Sequence, residues 1–335
     1  MQSTHNGLLT GTPACLNRGS IAGAILGVVC AASALAQPSG TLVQWGASSL
    51  DQRQNAPAAS GPYKALAAGQ YFSIALKEDG SLVQWGSASD RQADNLPPAA
   101  GPYREIAAGA SHGLALRNDG SLVQWGRVWD NQAVGQPPAA GPYKAIAAGF
   151  YHSVALKADG TLVQWGDTSV SQRNGFPNDA STYIAVSAGA THTLALRSDG
   201  SLAQWGNTSS GQAAGAPLAA GPYIAIAAGT THNLALRADG SLVQWGDTSF
   251  GQLDNAPTMT GPYVAIAAGT MHSMALKADG TLVQWGRTNA GQLDDAPSFA
   301  GPFRSIVCGG YHSLAITGVP TSPGSFTYQG QLSGA

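Results

Sequence analysis

Tryptophan recurs in this chain at a step that never slips: Trp45, Trp85, Trp125, Trp165, Trp205, Trp245 and Trp285 are each 40 residues from the next. Only Trp129 stands outside the series. A second marker keeps the same step, the glycine that closes each AAG-like run at Gly69, Gly109, Gly149, Gly189, Gly229, Gly269 and Gly309. Histidine follows at His112, His152, His192, His232, His272 and His312, with Phe72 at that place in the first unit. A period without insertions over residues 38–317 means that each unit is one supersecondary element and that every unit meets its neighbour in the same way.

The third unit shows what the element is. Residues 143–148 alternate as a strand does, residues 152–157 form a second apolar run, and residues 161–165 a third. Ala158-Asp159-Gly160 separates the last two, and Asp-Gly between apolar runs signals a tight hairpin because glycine tolerates positive φ. Three antiparallel strands per unit follow, with room for a short fourth in the connection. Such a sheet has two apolar faces and must bury both against its neighbours. An open stack would need polar terminal caps, which neither end supplies. The ends are instead complementary: residues 41–46 are the third strand of a unit, and residues 303–316 are its first two. The expected fold is all-β, a seven-bladed β-propeller of 40-residue repeats, its ring closed by joining strand 41–46 to strands 303–316.

Composition agrees with turns and small side chains rather than surface helices. Charged residues make up 10% of the 335 and glycine numbers 44. Basic and acidic residues number 16 and 18, without a basic patch or helix, which argues against a nucleic-acid partner. Residues 1–36 read as a secretory signal peptide. Arg18 precedes the apolar run IAGAILGVVCAASALA, and Ala34-Leu35-Ala36 fits a small-residue cleavage site. The run is short for a membrane span, and Val29 before Cys30 fits a lipoprotein site poorly. The mature chain, from Gln37, is expected to be secreted, periplasmic or on the cell surface, without membrane insertion. It would keep Cys308 alone, so no internal disulfide would hold it. The propeller is assigned to 37–317, and 318–335 to a Pro/Gly/Ser linker with the start of a truncated domain, since Phe326-Thr327-Tyr328-Gln329-Gly330 resembles segments that follow linkers in large exported bacterial proteins.

Trp245-Gly246, Gly251-Gln252-Leu253, Ala267-Ala268-Gly269, His272-Ser273, Ala275-Leu276 and Asp279-Gly280 together resemble the regulator of chromosome condensation repeat family. The resemblance spans the whole repeat region and implies the propeller fold. In layout the short units are similar to secreted bacterial propellers such as one that inhibits β-lactamases. The family's guanine-nucleotide exchange role implies a nuclear GTPase partner, which a signal peptide argues against.

Ser111, His112 and Asp119 together contain the residue types of a nucleophilic triad. The comparison between units dissolves it, because position 111 is Tyr71, Tyr151, Thr191, Thr231, Met271 or Tyr311 elsewhere. The histidines, one in each of six blades, are expected to tie down the AAG turn, the aspartates to stabilise Asp-Gly turns, and the tryptophans to pack between blades with each indole N–H on an internal partner. No catalytic residue, metal site or cofactor is assigned, and no enzyme activity is expected.

Function should lie where units differ. Topology puts the residues after the AAG glycine and the segment after Trp-Gly on one face. Large aromatics there are Tyr71, Phe72, Trp129, Phe150, Tyr151 and Tyr311, expected to form one continuous sector, with Asp51, Arg53, Asp90, Arg91, Arg127 and Asp130 at its polar edge. This is the composition of a protein-binding patch. The expected function is a non-enzymatic scaffold binding a protein of unknown identity. A β-lactamase-type inhibitor and a carbohydrate-binding module that takes a glycan are the alternatives.

Overall fold

A computed structural model describes residues 40–318, apart from 48–50, 90, 128–135, 138–140, 142, 168, 170, 218–220, 258–260, 262, 288–290 and 298–301. The expected signal peptide, Trp129 and the tail from 319 onward lie outside the described residues.

Each unit folds as its alternation dictates. In the third, the strands are Tyr143–Ala148, His152–Lys157 and Leu162–Gly166. They pair antiparallel, with Ala148 opposite Ser153 and His152 opposite Gly166. The hairpin between the second and third strands is closed by Gly160 N–H donating to the Lys157 carbonyl at 3.0 Å and Lys157 N–H donating to that of Thr161 at 2.9 Å. Gly160 sits at φ +88°, the left-handed residue that a type I turn with a following bulge requires. Among the described residues the connection after Trp-Gly forms turns, and no fourth strand appears.

Seven such sheets result. Blades 2 to 6 are separate three-stranded sheets; blade 1, from Ser60–Ala68, Phe72–Lys77 and Leu82–Gly86, is joined edgewise to blade 7. Blade 7 takes two strands from the end of the repeat region, Phe303–Cys308 and His312–Thr317, and its third, Gly40–Gly46, from the beginning. Leu42 lies opposite Ile316, and the register runs without a break to Gly46 opposite His312. The first strands of successive blades touch one another all the way round, including blade 7 with blade 1. These are the inner strands, and their alanines are the reason that seven can crowd around one axis.

Crowding is tightest at the AAG glycines. A Cβ on Gly69 would come within 2.5 Å of the Gly109 carbonyl oxygen, and one on Gly309 within 2.8 Å of that of Gly69. The same contact recurs at every intervening blade. Any side chain there would push the ring open, so glycine is needed for close approach rather than for an unusual φ.

Two girdles of buried polar bonds hold adjacent blades together. In the first, each repeat tryptophan donates its indole N–H to a glutamine of the preceding blade's outer strand: Trp85 to Gln44 at 3.1 Å, Trp125 to Gln84 at 2.7 Å, Trp165 to Gln124 at 2.8 Å, and so on to Trp285 and Gln244. Trp45 completes the circle by donating to Gln284 at 3.0 Å. All seven indoles are almost fully buried. Each such bond contributes about 1 kcal/mol net, but an indole N–H left without its acceptor would cost about 1–3 kcal/mol.

The second girdle runs the other way. Histidine Nε2 meets a side chain on the next blade's middle strand: His112 and Ser153 at 2.9 Å, His152 and Thr193 at 2.9 Å, His192 and Asn233 at 2.7 Å, His232 and Ser273 at 2.8 Å, His272 and Ser313 at 2.9 Å, His312 and Ser73 at 2.8 Å. The expected tie to the histidine's own turn is therefore corrected to a bond between blades. The imidazole still supports the turn by packing, since its Cε1 and Nδ1 lie directly beneath the AAG glycine. Blade 4 fixes the tautomer. Asn233 Nδ2 donates to the Gln212 carbonyl at 2.8 Å, so its Oδ1 must accept, and His192 Nε2 carries the proton.

Phe72 replaces the missing histidine, and the residue that would answer it on blade 2 is Gly113, which has no side chain. Phe72 is fully buried in one cluster with Trp125, whose indole covers the Cα of Gly113. One hydrogen-bonded link has thus been exchanged, on both sides together, for an apolar one.

Candidate functional site: the face of the AAG turns

The residue after each Trp-Gly donates its backbone N–H to the carbonyl of the residue before the histidine position. Ala47 donates to Tyr311, Ser87 to Tyr71, Arg127 to Ser111, Asp167 to Tyr151, Asn207 to Thr191, Asp247 to Thr231 and Arg287 to Met271, all at 2.8–2.9 Å. This ladder of single bonds fixes the AAG turns and the segments after Trp-Gly on one face. The Asp-Gly hairpins lie at the opposite ends of the strands.

The apparent triad separates in space. Ser111 is buried in its turn, and His112 turns its Nε2 away from it to Ser153. Asp119 is on the opposite face, where its Oδ1 accepts the Ser121 N–H at 2.8 Å. Hydrogen bonds from Ser121 hold its carboxyl below the usual carboxylate range. The equivalent aspartates behave alike, as turn residues should. Burial pushes the histidines down, to about 4 for His112, His192 and His272 and about 3 for His152, His232 and His312. Nδ1 has no partner in any of the six, so a second proton would have nowhere to donate. No cluster of three metal-ligating side chains occurs among the described residues, nor any helix long and apolar enough to cross a membrane.

The aromatic residues of the face form two pairs. Tyr71 of blade 1 and Tyr311 of blade 7 stack across the closure seam, with ring centroids 6.2 Å apart and planes 14° from parallel. Gln70 Nε2 donates to the Tyr71 hydroxyl at 3.0 Å and orients it. Phe150 and Tyr151 of blade 3 meet edge to face at 6.2 Å. All four are partly exposed. Phe72 is not part of the face: it is wholly buried, because it fills a histidine's place between blades. Between the pairs lies blade 2, where Ala110 and Ser111 are buried and Trp129 is outside the described residues.

The expected polar edge is partly engaged. Arg53 pairs with Asp295 at 3.5 Å, Arg91 with Asp94 at 3.6 Å, and Asp51 is exposed; Asp90 and Asp130 lie outside the described residues. Sequence comparison at the two AAG positions missed Phe250, which is 52% exposed on the same face, in the connection after blade 5. Its signal was available in the loop, where the equivalent position holds Ser210 in blade 4 and Ala290 in blade 6. Also unforeseen is Glu105, on the inner strand of blade 2 where most blades carry alanine. Its Oε1 accepts the Ile146 N–H of blade 3 at 2.9 Å, and burial raises its carboxyl to about 8. Ser187 similarly accepts from Ala228 N–H at 2.9 Å.

Fold and faces define a closed seven-bladed propeller of short three-stranded blades, conserved in its interior contacts from blade to blade and variable on one face. Three stretches of it, residues 143–172, 183–212 and 223–252, each match the profile described as Regulator of chromosome condensation (RCC1) repeat. Among solved structures, Prp20p from Saccharomyces cerevisiae is similar at TM-score 0.67 and 18% identity, over 86% of this chain and 93% of that one. Human WBSCR16 is similar at TM-score 0.65 and 18% identity, over 77% and 88%. The ectodomain of the receptor kinase CR4 from Physcomitrella patens is similar at TM-score 0.61 and 20% identity, over 79% and 72%. At these identities the likeness is one of fold. A comparison with curated proteins finds no match.

Proposed function

We propose that this propeller is a non-enzymatic scaffold that binds a protein through the face carrying the AAG turns, with Tyr71, Tyr311, Phe150 and Tyr151 as anchors. The observation that carries the reading is the placement of two partly exposed aromatic pairs where the repeats differ, on a framework whose other contacts are repeated. Rigid aromatics offer contact area at little entropic cost. The inter-blade girdles keep that framework stiff, so docking needs little rearrangement. Among similar folds, Prp20p is described with binding to Gsp1p and histones, and yeast RCC1 (Prp20) in complex with Kap60, which supports a protein as the partner class. The signal-like features of residues 1–36 support a partner met outside the cytoplasm and argue against guanine-nucleotide exchange.

The test is capture from the exported fraction by the chain from Gln37, followed by titration of the purified partner against Tyr71→Ala, Tyr151→Ala and their double variant. Each single change is expected to weaken binding by about 1–2 kcal/mol, roughly five- to thirty-fold, with the unfolding transition unmoved. Affinity unchanged in the double variant would end the proposal.

A further inference from the structure

The face opposite the AAG turns, where the Asp-Gly hairpins lie, is also uneven around the ring. Each inner strand starts beside the preceding blade's hairpin: Tyr103 N–H donates to the Gly80 carbonyl at 3.2 Å, and Tyr183 N–H to that of Gly160 at 2.9 Å. A bulge leaves the next residue out of the pairing in all seven blades. The side chains at this position run around the mouth of the axis, since Arg104 and Arg304 each reach the following blade, where Nη2 donates to the Tyr143 and Tyr63 carbonyls. On blades 7, 1, 2 and 3 the position holds Arg304, Lys64, Arg104 and Lys144; on blades 4, 5 and 6 it holds Ile184, Ile224 and Val264. One arc of the mouth is cationic and the other aliphatic.

The cationic arc is provided for. Arg304 faces Glu78 at 3.8 Å, Lys144 acts on the Asp159 carboxylate, and both arginines bond to backbone. The aliphatic arc is not. Ile184 is 52% and Ile224 39% exposed, and Val264 is half-buried against the core between blades 6 and 7. Among the described residues the other exposed large apolar side chains are Leu96 and Phe250, so only Ile184 and Ile224 share one position on adjoining blades. Adjoining exposed aliphatics mark a contact surface, where scattered ones do not.

The chain itself carries a segment suited to cover it. Gly318 N–H donates to the Pro302 carbonyl at 2.7 Å, as Glu78 N–H does to that of Pro62 in blade 1. The chain therefore leaves the propeller on the hairpin face, with Gly318 beside the Arg304 side chain and one blade from Val264. Residues 319–335 contain no charged residue. Strand alternation would put Phe326, Tyr328 and Leu332 on one side and Thr327, Gln329 and Gln331 on the other, an apolar side with nothing in its own segment to pack on. The stretch from 319 to 326 spans up to about 26 Å. Sheets pack about 10 Å apart, so Ile224, two blades from the exit, is within reach. So short a tether gives an effective concentration in the millimolar range, at which a modest apolar contact suffices. A second copy is a poorer occupant, because a twofold contact that matches the aliphatic arcs also sets the cationic arcs against each other. We infer that residues 326–332 dock on the arc of Ile184, Ile224 and Val264 and cover that side of the mouth. This surface is on the face opposite the aromatic pairs and does not rest on the protein-binding reading.

Chymotrypsin, which cuts after Phe and Tyr, reads the docking, because a segment is cut only while it is released. Cleavage after Phe326 and Tyr328 is followed by mass spectrometry in the chain from Gln37 and in a synthetic peptide of residues 319–335. The chain is expected to be cut at least about tenfold more slowly than the peptide. Ile184→Asp combined with Ile224→Asp should bring the two rates within about twofold of each other, while Lys64→Ala, on the cationic arc, should leave the protection intact. Unfolding midpoints equal to that of the parent chain would show that these exposed substitutions leave the ring closed; if the double variant unfolds early, Ile224→Ser alone should still speed cleavage several-fold. A chain cut as fast as the peptide, or protection that survives loss of both isoleucines, would overturn the assignment. So would protection lost equally with Lys64→Ala, or protection that fades on dilution, which would make a second copy the source of the arc.

Discussion

Restoring the seventh histidine link is a quantitative test of how the ring is held together. Phe72→His alone puts an imidazole N–H opposite Gly113, with no acceptor, and removes apolar contact with the cluster around Trp125. The unmade bond and lost packing together should cost about 3 kcal/mol. Gly113→Ser alone adds a Cβ where the Trp125 indole now lies, and overpacking of this kind costs about 1–3 kcal/mol. Combined, the two changes recreate the pair found at 2.7–2.9 Å in the other six junctions. The new imidazole has room, because Gly69 lies over Phe72 as Gly109 lies over His112, and an indole already packs opposite a serine where Trp165 faces Ser153. The double variant should therefore recover at least about 2 kcal/mol relative to the sum of the single changes. Urea unfolding of the four proteins at pH 8, where histidine is neutral in the folded and unfolded chain alike, gives the coupling directly. A coupling within about 0.5 kcal/mol of zero would refute the claim that the two positions form one unit.

Acid should weaken the ring steeply. Each histidine is held at about 3 or 4 in the folded chain against about 6.5 when unfolded. Unfolded chains therefore take up protons as the pH falls through 6.5 while folded ones do not. Stability is complete above about pH 7.5 and is lost progressively from 6.5 down to 4, by about 1.4 kcal/mol per histidine at pH 5.5, or about 8 kcal/mol for the six. Urea midpoints measured from pH 8 to 5 check this, and a flat profile would contradict it. Glu105 acts in the opposite sense: its carboxyl is raised to about 8 when folded, so its contribution is present at low pH and lost as the pH rises from about 4.5 to 8. Glu105→Gln keeps the acceptor for Ile146 N–H and should stabilise the chain by on the order of 3 kcal/mol at pH 8 and under about 1 kcal/mol at pH 5. Equal effects at the two pH values would show that the carboxyl is not held neutral by burial.

What could be read in advance follows from the range of the interactions concerned. Strand limits in the third unit come out within a residue of expectation because alternation and the Asp159-Gly160 turn are local. Ring closure through residues 41–46 was legible because a fixed 40-residue period makes a missing strand at one end and a surplus pair at the other visible as fragments of one unit. The tryptophans' need for an internal acceptor could be stated, since a buried indole N–H cannot go unpaired, but Gln44 for Trp85 is a choice made by the neighbouring sheet. The histidine was the instructive error. Its place beside the AAG glycine suggested a bond to that turn, whereas the imidazole packs under the turn and sends Nε2 to the next blade.

By itself, then, the sequence determined the period, the three strands, the hairpins, the number of blades and which face varies, because each follows from local pattern and repetition. The tertiary structure alone decided which side chains bond across blades and which aromatics reach the surface. Phe72 and Tyr71 are adjacent in the chain, yet one is sealed between two sheets and the other stacks on Tyr311 at the seam. Tyr71 ends the AAG turn on the open face, whereas Phe72 begins a middle strand that is buried on both sides.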